Sequence, residues 1–337
     1  MKSVMKQDLN FLTYPLWFQV SRATQKAEWS HPQGYTLRAD YRAPDQVDAL
    51  FLMYILMRAQ QESYQPRQQL SRYEILKGCG CPVNPQYLER LADSLKRWCS
   101  VTLDFQAAFF QDGEHLTRQF KILHSAVLKE KERRLDIRLD PEFLSVLQNS
   151  RHFKYVDFNF YRLLRRPVSR RLFELLTAMF KEGNQWRVPL VELGHDLTLY
   201  YRKRRRKDGT VEEVLYPSDV LTAVKAALEE INTLSTDIET LRELGTDPRE
   251  IYAVTYEVEG KRKYKSITFH KASLSHLFDA LTEEKEAPRK VKDFAEPYLE
   301  ELISFLKRSS RPLRDLVSKY YRSEGYEYVK WNIFYAN

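Results

Sequence analysis

The side chains in this sequence that are best suited to a chemical task are clustered lysines and arginines. The densest cluster lies in residues 200–209, which read Tyr-Tyr-Arg-Lys-Arg-Arg-Arg-Lys-Asp-Gly, and a second follows Gly260 in residues 261–263. Cations of this kind bind nucleic acids by neutralising phosphates. A run of like charge is also common in solvated loops, so its meaning depends on the elements that position it.

The second half of the chain contains the elements of a winged helix in order. They are a helix over residues 167–180, a short helix over 188–197, a helix over 218–232, and strands over 251–258 and 264–269. Ser169 is the predicted N-cap of the first helix, and a tight turn around Gly260 joins the strands. A winged helix places its third helix in the DNA major groove and its hairpin tip on the neighbouring backbone.

The first half of the chain repeats this order of elements. They are helices over residues 47–58, 66–77 and 85–98, followed by strands over 101–110 and 116–128 with a turn at 111–114. Asn84 and Pro85 form a predicted start for the third helix, because Asn is a good N-cap and Pro suits the first helical position. We therefore predict two copies of one architecture, although the two stretches share little residue-by-residue similarity.

The order of elements predicts an α+β protein with two tandem winged-helix domains and a small C-terminal helical extension. The predicted N-terminal domain covers residues 1–134, including an extended apolar segment at 9–20, and the C-terminal domain covers 135–280 with the basic insertion 200–209. Residues 281–337 are predicted to form a charged linker and helices. Because no glycine- or proline-rich linker separates the first two domains, we expect them to pack together.

The polar faces of the two third helices are the predicted sites of base recognition, since Arg pairs with guanine edges and Gln with adenine edges. The candidate base-contacting residues are Gln86, Arg90, Ser94 and Arg97 in the first domain and Ser218, Thr222 and Lys225 in the second. The candidate phosphate-binding residues are Lys96, Arg202, Lys203, Arg204, Arg205, Arg206, Lys207, Lys261, Arg262 and Lys263. Whether the basic insertion or the third helix of the second domain enters the groove stays open.

The composition of the chain agrees with a DNA-binding protein without specifying one. There are 54 lysines and arginines against 46 acidic residues, which gives a net charge of +8. This excess suits a polyanionic partner but is shared by many metabolic enzymes. No apolar run is long enough for a spanning helix, and residues 1–10 lack the apolar core of a signal peptide. We therefore expect a cytoplasmic protein with no membrane partner.

Familiar motifs of catalysis and cofactor binding are missing from the sequence. There is no Gly-x-x-x-x-Gly-Lys-Ser/Thr loop to hold a nucleotide phosphate. Cys79 and Cys81 lack the matching second pair of a zinc site, and the histidines show no close pair, so His195 is predicted to be structural. Tyr200 and Tyr201 could mimic the tyrosine pair of a nicking enzyme, but no metal ligands accompany them. We predict a non-enzymatic protein without metal or cofactor.

Several stretches of the C-terminal domain resemble bacterial plasmid replication initiators, including the group called replication initiator protein A. The similarity lies in Ser-Arg-Arg-Leu-Phe-Glu-Leu-Leu at residues 169–176, in Trp-Arg-Val-Pro-Leu-Val-Glu-Leu at 186–193, in the helix 220–232 and in the hairpin 258–269. Residues 328–337 are similar to a C-terminal pattern of some initiators. The first domain shares only the order of elements.

This resemblance implies two tandem winged helices that bind repeated sites, or iterons, in double-stranded DNA at a plasmid origin and initiate replication. It also implies repression of the protein's own promoter, control of plasmid copy number, and host replication proteins such as a helicase or an initiator as partners. A homodimer is left open. Two alternatives remain, namely a double winged-helix transcriptional regulator without a replication role and a nicking replication enzyme, which is the less favoured of the two.

Overall fold

The computed structural model of this chain describes residues 4–19, 27–129, 134–180, 183–206, 210–246, 252–261 and 265–273. The predicted linker and helices of residues 281–337 lie outside these ranges, as do the candidate phosphate contacts Lys207, Arg262 and Lys263. Within the described part of the chain, none of the helices has the length and apolar composition needed to cross a bilayer.

The N-terminal half of the chain alternates short strands with helices. Its elements are β1 (Val4–Asp8), α1 (Leu9–Thr13), β2 (Ala27–His31), β3 (Tyr35–Ala39), α2 (Gln46–Gln61), β4 (Arg67–Ser71), α3 (Arg72–Gly78), α4 (Pro85–Cys99), β5 (Val101–Gln111), β6 (Glu114–Lys121), β7 (Leu123–Lys129), β8 (Arg134–Leu139) and α5 (Pro141–Asn149). The predicted extended segment at residues 9–20 begins with one helical turn, α1, whose apolar side chains are buried.

The C-terminal half follows with a similar mixture. Its elements are β9 (Phe153–Asp157), α6 (Phe158–Leu163), α7 (Pro167–Met179), β10 (Gln185–Pro189), α8 (Leu190–Asp196), β11 (Arg202–Arg205), β12 (Val211–Val214), α9 (Pro217–Ser235), α10 (Ile238–Glu243), β13 (Tyr252–Glu259) and β14 (Ser266–Ser273). Strand β9 pairs antiparallel with β1, so the beginning of the chain is tied to the start of the second half.

Each half contains one winged helix with the same topology. The first unit contains, in chain order, the elements α2, β4, α3, α4, β7 and β8, with β5 and β6 inserted before β7. Its sheet order is β4-β8-β7. The second unit contains, in chain order, the elements α7, β10, α8, α9, β13 and β14, with β11 and β12 inserted before α9 and α10 inserted before β13. Its sheet order is β10-β14-β13. The last strand lies in the middle of each antiparallel sheet. This shared order confirms an α+β fold with two tandem winged helices.

The wing of the first unit is not the hairpin that the sequence predicts. The single strand predicted over residues 116–128 is divided at Ile122 into two strands, β6 and β7. Strands β5 and β6 belong to a separate sheet of order β2-β3-β5-β6, and the wing is formed by β7 and β8. The physical reason is aromatic packing, because Phe105, Phe109 and Phe120 surround Phe11 at ring distances of 5.7–6.2 Å. The β5–β6 hairpin therefore packs against α1 instead of forming the wing.

A second difference concerns residues 66–77, where the sequence predicts a single helix. The first part is the strand β4, in which buried Gln68 and Leu70 alternate with exposed Arg67 and Gln69. Ser71 then caps the helix α3 by accepting the N–H of Glu74 at 3.0 Å. Strand β4 pairs with β8, which also pairs with β7. The first unit therefore extends beyond the predicted boundary at residue 134.

The helix α7 also begins differently from the prediction. Ser169 is not its N-cap, because the helix starts at Pro167 and the cap residue is Arg166, which makes no side-chain cap. Ser169 is fully buried instead and donates its hydroxyl to Glu230 of α9 at 2.6 Å. The start of α7 is thus held by a carboxylate from another helix.

The two units are joined by a buried polar network around α7. Arg171 donates to the backbone carbonyls of Leu12 and Asp196 and to the Glu174 carboxylate at 2.7–3.0 Å. Glu174 also accepts the indole N–H of Trp17 at 2.9 Å and the hydroxyl of Tyr161 at 2.7 Å. Arg171 is 1% exposed and Glu174 is 4% exposed. Segments from both halves are therefore packed against each other through satisfied hydrogen bonds.

Candidate nucleic-acid interface

The helix α4 occupies the position of a recognition helix in the first unit. Its start is the predicted one, since the Asn84 side chain accepts the N–H of Tyr87 at 2.9 Å and Pro85 is the first helical residue. Gln86 and Lys96 are exposed on this helix. The Lys96 ammonium lies 4.1 Å from the ring centroid of Tyr41, which is a cation–π contact. These two candidates are accessible to a ligand.

Arg90 and Arg97, by contrast, are engaged in an ion-pair cluster within the first unit. Arg90 donates to Asp48 and Asp45 at 2.6 Å each. Arg97 donates to Asp48 at 2.9 Å and to Asp93 at 2.6 Å. Asp48 is fully buried, and Arg97 is 7% exposed. In this structure Arg90 and Arg97 do not offer their guanidinium groups to a DNA groove, because these groups are paired with Asp45 and Asp48 at the start of α2 and, for Arg97, with Asp93 of α4.

Ser94 lies on the same buried face and has no exposed area, so it too is unable to contact a base edge. Residues 90, 94 and 97 follow the spacing of a single helical face, and here that face packs toward α2. The sequence did hold a signal for this arrangement. Asp45 and Asp48 form the capping box at the start of α2, and two carboxylates so close together need nearby cations.

The charges of this cluster are tuned by burial and by each other. Burial raises the pKa of the Asp48 carboxyl, and the hydrogen bond and positive charge of Arg90 oppose that rise. For Asp93, burial would also raise the pKa, but the hydroxyl of Tyr41 and the Arg97 guanidinium outweigh it and hold the pKa below its usual range. The cluster thus fixes α4 on α2 and leaves a recognition face with little charge.

The helix α9 occupies the same position in the second unit and presents its predicted residues to solvent. Ser218, Thr222 and Lys225 are all exposed and, with Glu229, form one stripe at a spacing of three to four residues. Glu230 lies outside this stripe and is turned toward the start of α7. The N-terminal half of α9 therefore offers hydroxyls and one ammonium group to a ligand.

The basic insertion is a two-stranded ribbon, β11–β12, placed between α8 and α9. Three of its arginines are ion-paired: Arg202 with Asp219 of α9 at 2.7 Å, and Arg204 and Arg206 with Glu212. Lys203 and Arg205 alternate with them and so lie on the other side of the strand. Within the described residues these two are exposed and have no acidic partner. The ribbon therefore has one face on which the arginines are ion-paired and a second face on which Lys203 and Arg205 are unpaired within the described part of the chain and Glu213 lies opposite Lys203.

The wing of the second unit is the turn between β13 and β14. Gly260 has a φ of +84°, a left-handed conformation that favours glycine, and Lys261 beside it is exposed. In the first unit, the tip between β7 and β8 (residues 130–133) lies outside the described residues, and Arg134 at the start of β8 is exposed. Lys261 is accessible as the sequence predicts, and Arg134 is an additional cation that the sequence analysis missed.

One group of metal-binding residue types comes together at the junction of the units. His31, His195 and Asp196 each place a potential ligand atom within 4.8 Å of the others. His31 Nε2 lies 2.9 Å from Asp196 Oδ1, and the N–H of Gln33 donates to His31 Nδ1 at 3.2 Å. A proton on Nε2 satisfies both contacts, whereas a metal-bound histidine usually donates its other N–H. This geometry favours a hydrogen bond between the units over a metal site.

Part of the chain that forms this interface matches a known protein family. Residues 44–209 match the family model of replication initiator protein A. The match begins before α2 and ends after β11, so it includes α4, α7 and the first strand of the basic ribbon. The resemblance to this family is thereby confirmed over residues 44–209.

Two solved structures of other proteins are also similar to this chain. Domains 2 and 3 of RctB have 12% sequence identity and a TM-score of 0.45, and the similarity covers 78% of this chain and 96% of that one. The Pi initiator protein, crystallised in complex with iteron DNA, has 14% identity and a TM-score of 0.45, with 72% and 98% covered. No curated protein matches the sequence at a significant level.

Proposed function

We propose that this protein binds repeated sites in double-stranded DNA at a plasmid origin and thereby initiates replication of the plasmid. One observation supports the proposal most directly. The stretch that matches replication initiator protein A, residues 44–209, contains the first winged helix and the beginning of the second. A chain with two winged helices offers two recognition helices, so one copy is able to cover a non-palindromic site of roughly two helical turns.

In this proposal the two recognition helices have different roles. On α9, Ser218, Thr222 and Lys225 contact base edges in the major groove, where hydroxyls and an ammonium group have suitable partners. The less charged face of α4 offers Gln86 for base recognition and Lys96 for a phosphate. Arg90 and Arg97 act indirectly, because they hold α4 in place on α2.

In the same proposal, cationic side chains around the two recognition helices bind DNA phosphates and supply much of the affinity. Lys203 and Arg205 on the ribbon and Lys261 at the wing are exposed and close in sequence to the second recognition helix or its wing. The remaining predicted contacts Lys207, Arg262 and Lys263 belong to the same proposal by sequence alone. Phosphate contacts fix the register of the protein on DNA, while base contacts select the sequence.

Repression of the protein's own promoter and recruitment of a host helicase or initiator are part of the same proposal, which holds for a monomer and for a homodimer. The alternative function is a double winged-helix transcriptional regulator. Nuclease footprinting on the plasmid that encodes the protein separates the two. Protection of several direct repeats beside an AT-rich stretch is expected for an initiator, whereas protection of a lone inverted repeat would favour the regulator.

Nicking activity is tested separately with supercoiled plasmid, the protein and Mg²⁺. We expect the plasmid to stay supercoiled, because the proposed mechanism requires binding and no strand cleavage. Relaxed circles carrying protein on a 5′ end would show a nicking enzyme and would contradict the proposal.

The two faces of the basic ribbon predict different effects on DNA binding. Replacing Lys203 and Arg205 with Ser should lower the slope of log affinity against log salt by about 1.8, at about 0.9 per lost phosphate contact. The matched variant replaces Arg204 and Arg206 with Ser, and its slope should change less because these side chains are already paired with Glu212. Fluorescence anisotropy over a range of salt concentrations measures both slopes. Equal changes would show that the ribbon does not bind DNA through one face.

A further inference from the structure

The segment that joins the two winged-helix units carries two exposed arginines, Arg165 and Arg166. Within the described residues, neither guanidinium group is paired with a carboxylate. Other arginines nearby have structural partners: Arg162 donates to the Gly78 carbonyl at 2.9 Å, and Arg170 donates to the Gln46 carbonyl at 3.0 Å. Arg162 is half-buried and Arg170 is buried, so Arg165 and Arg166 are the exposed cations of this segment.

This segment is fastened to the recognition helix α9 by Glu230. The Glu230 carboxylate accepts the N–H of Arg165 at 2.7 Å, the N–H of Arg166 at 3.2 Å and the hydroxyl of Ser169 at 2.6 Å. The Arg166 side chain reaches α9 as well, since it donates to the Ala226 carbonyl at 3.2 Å. The backbone at both arginines and the side chain of Arg166 are therefore fixed relative to α9.

The exposed face of α9 lacks the positive charge expected of a helix that approaches DNA. In its exposed stripe, Lys225 is the cation and Glu229 is an acid. Ala226, the residue that Arg166 contacts, follows Lys225 directly. The Arg166 guanidinium thus lies beside the middle of the helix, and Arg165 precedes it in the segment that the Glu230 carboxylate holds.

We propose that Arg165 and Arg166 form a phosphate-binding site beside α9, whose ligand is the phosphodiester backbone of double-stranded DNA. The inference rests on the proposed DNA-binding function and adds a contact made by the segment between the two units. Glu230 is the positioning residue of this site, because it binds the backbone of both arginines. Since the contact is with phosphates, it contributes affinity without sequence preference.

The test is the salt dependence of binding to a fluorescein-labelled mixed-sequence duplex that is long enough for both units. Replacing Arg165 and Arg166 with Ser should lower the slope of log affinity against log salt by about 1.8. Replacing both with Lys should leave the slope near that of the unmodified protein, because Lys also neutralises a phosphate. An unchanged slope in the Ser variant would overturn the inference.

Two controls distinguish a phosphate site from a general loss of charge. Replacing Lys121 and Arg151 with Ser removes the same charge from exposed cations elsewhere in the chain and should leave the slope unchanged. Glu230→Ala should lower the slope in the unmodified protein but cause little further change in the Ser variant, since both act on one site. Additive losses would overturn the positioning role of Glu230.

The outcomes also separate this inference from the proposed function. If the unmodified protein shows no salt-dependent binding to the duplex, the DNA-binding function itself fails. If the unmodified protein binds with a steep salt dependence and the Ser variant has the same slope, the site beside α9 fails while the proposed function stands. Circular dichroism spectra of each variant confirm that the exposed substitutions leave the fold intact.

Discussion

Asp48→Ala is expected to lower the free energy of unfolding by about 3–5 kcal/mol, the cost of breaking a buried ion pair by removing one partner. Asp48 is fully buried and accepts hydrogen bonds from Arg90 and Arg97, so its loss leaves two guanidinium groups with unmatched charge. It also accepts the N–H of Asp45 at 2.7 Å, which completes the capping box of α2. Urea denaturation followed by circular dichroism measures the change.

The control for this prediction is Asp40→Ala, which removes an exposed carboxyl near the same unit and should change stability by no more than about 0.5 kcal/mol. Asp48→Asn should have an effect between the two, because the amide keeps an acceptor oxygen but removes the negative charge. A loss for Asp48→Ala as small as that of the control would show that the cluster does not hold α4 on α2.

Glu174→Ala is expected to destabilise the chain by a similar amount, about 3–5 kcal/mol. The substitution leaves the buried guanidinium of Arg171 without its carboxylate, and it removes the acceptor for the Trp17 indole and the Tyr161 hydroxyl. Burial and the negative charge of Glu174 raise the pKa of Tyr161 well above its usual range, so its hydroxyl keeps the proton it donates. Denaturant unfolding monitored by tryptophan fluorescence reports the loss.

Two variants bracket the Glu174 result. Glu174→Gln keeps the size of the side chain and one acceptor oxygen, so its destabilisation should be smaller than that of Glu174→Ala. Glu192→Ala removes an exposed glutamate from α8 and should be nearly neutral, within about 0.5 kcal/mol. If Glu174→Gln is as damaging as Glu174→Ala, the negative charge rather than the hydrogen-bond geometry is what the junction requires.

The ion-pair cluster explains why the exposed residues of α4 could not be predicted as well as those of α9. Arginines on a helix surface look alike in the sequence whether they face DNA or a carboxylate. The partners of Arg90 and Arg97 lie 42 and 49 residues away along the chain, at Asp48. On α9 the candidates Ser218 and Thr222 had no competing partner of that kind, and they are exposed as predicted.

Local order was determined by the sequence itself. The start of α4 at Asn84 and Pro85, the extent of α9 and the β13–β14 hairpin follow from capping chemistry and from the periodicity of apolar residues. Both signals involve residues within a few positions of each other, and the regular backbone of a helix or strand determines how such residues are placed. The repeated order of elements was therefore sufficient to predict two tandem winged helices.

Tertiary structure alone decided which of these elements meet. Alternation identified strands but not their partners, so only the sheets show that β7 and β8 form the first wing while β5 and β6 join β3. Charge density identified the basic run but not its pairing, which engages Arg202, Arg204 and Arg206 and leaves Lys203 and Arg205 without an ion pair among the described residues. The reason is physical: strand pairing and ion pairing between distant residues are selected by burial and charge across the folded chain, and a local stretch of sequence does not specify which distant partner is chosen.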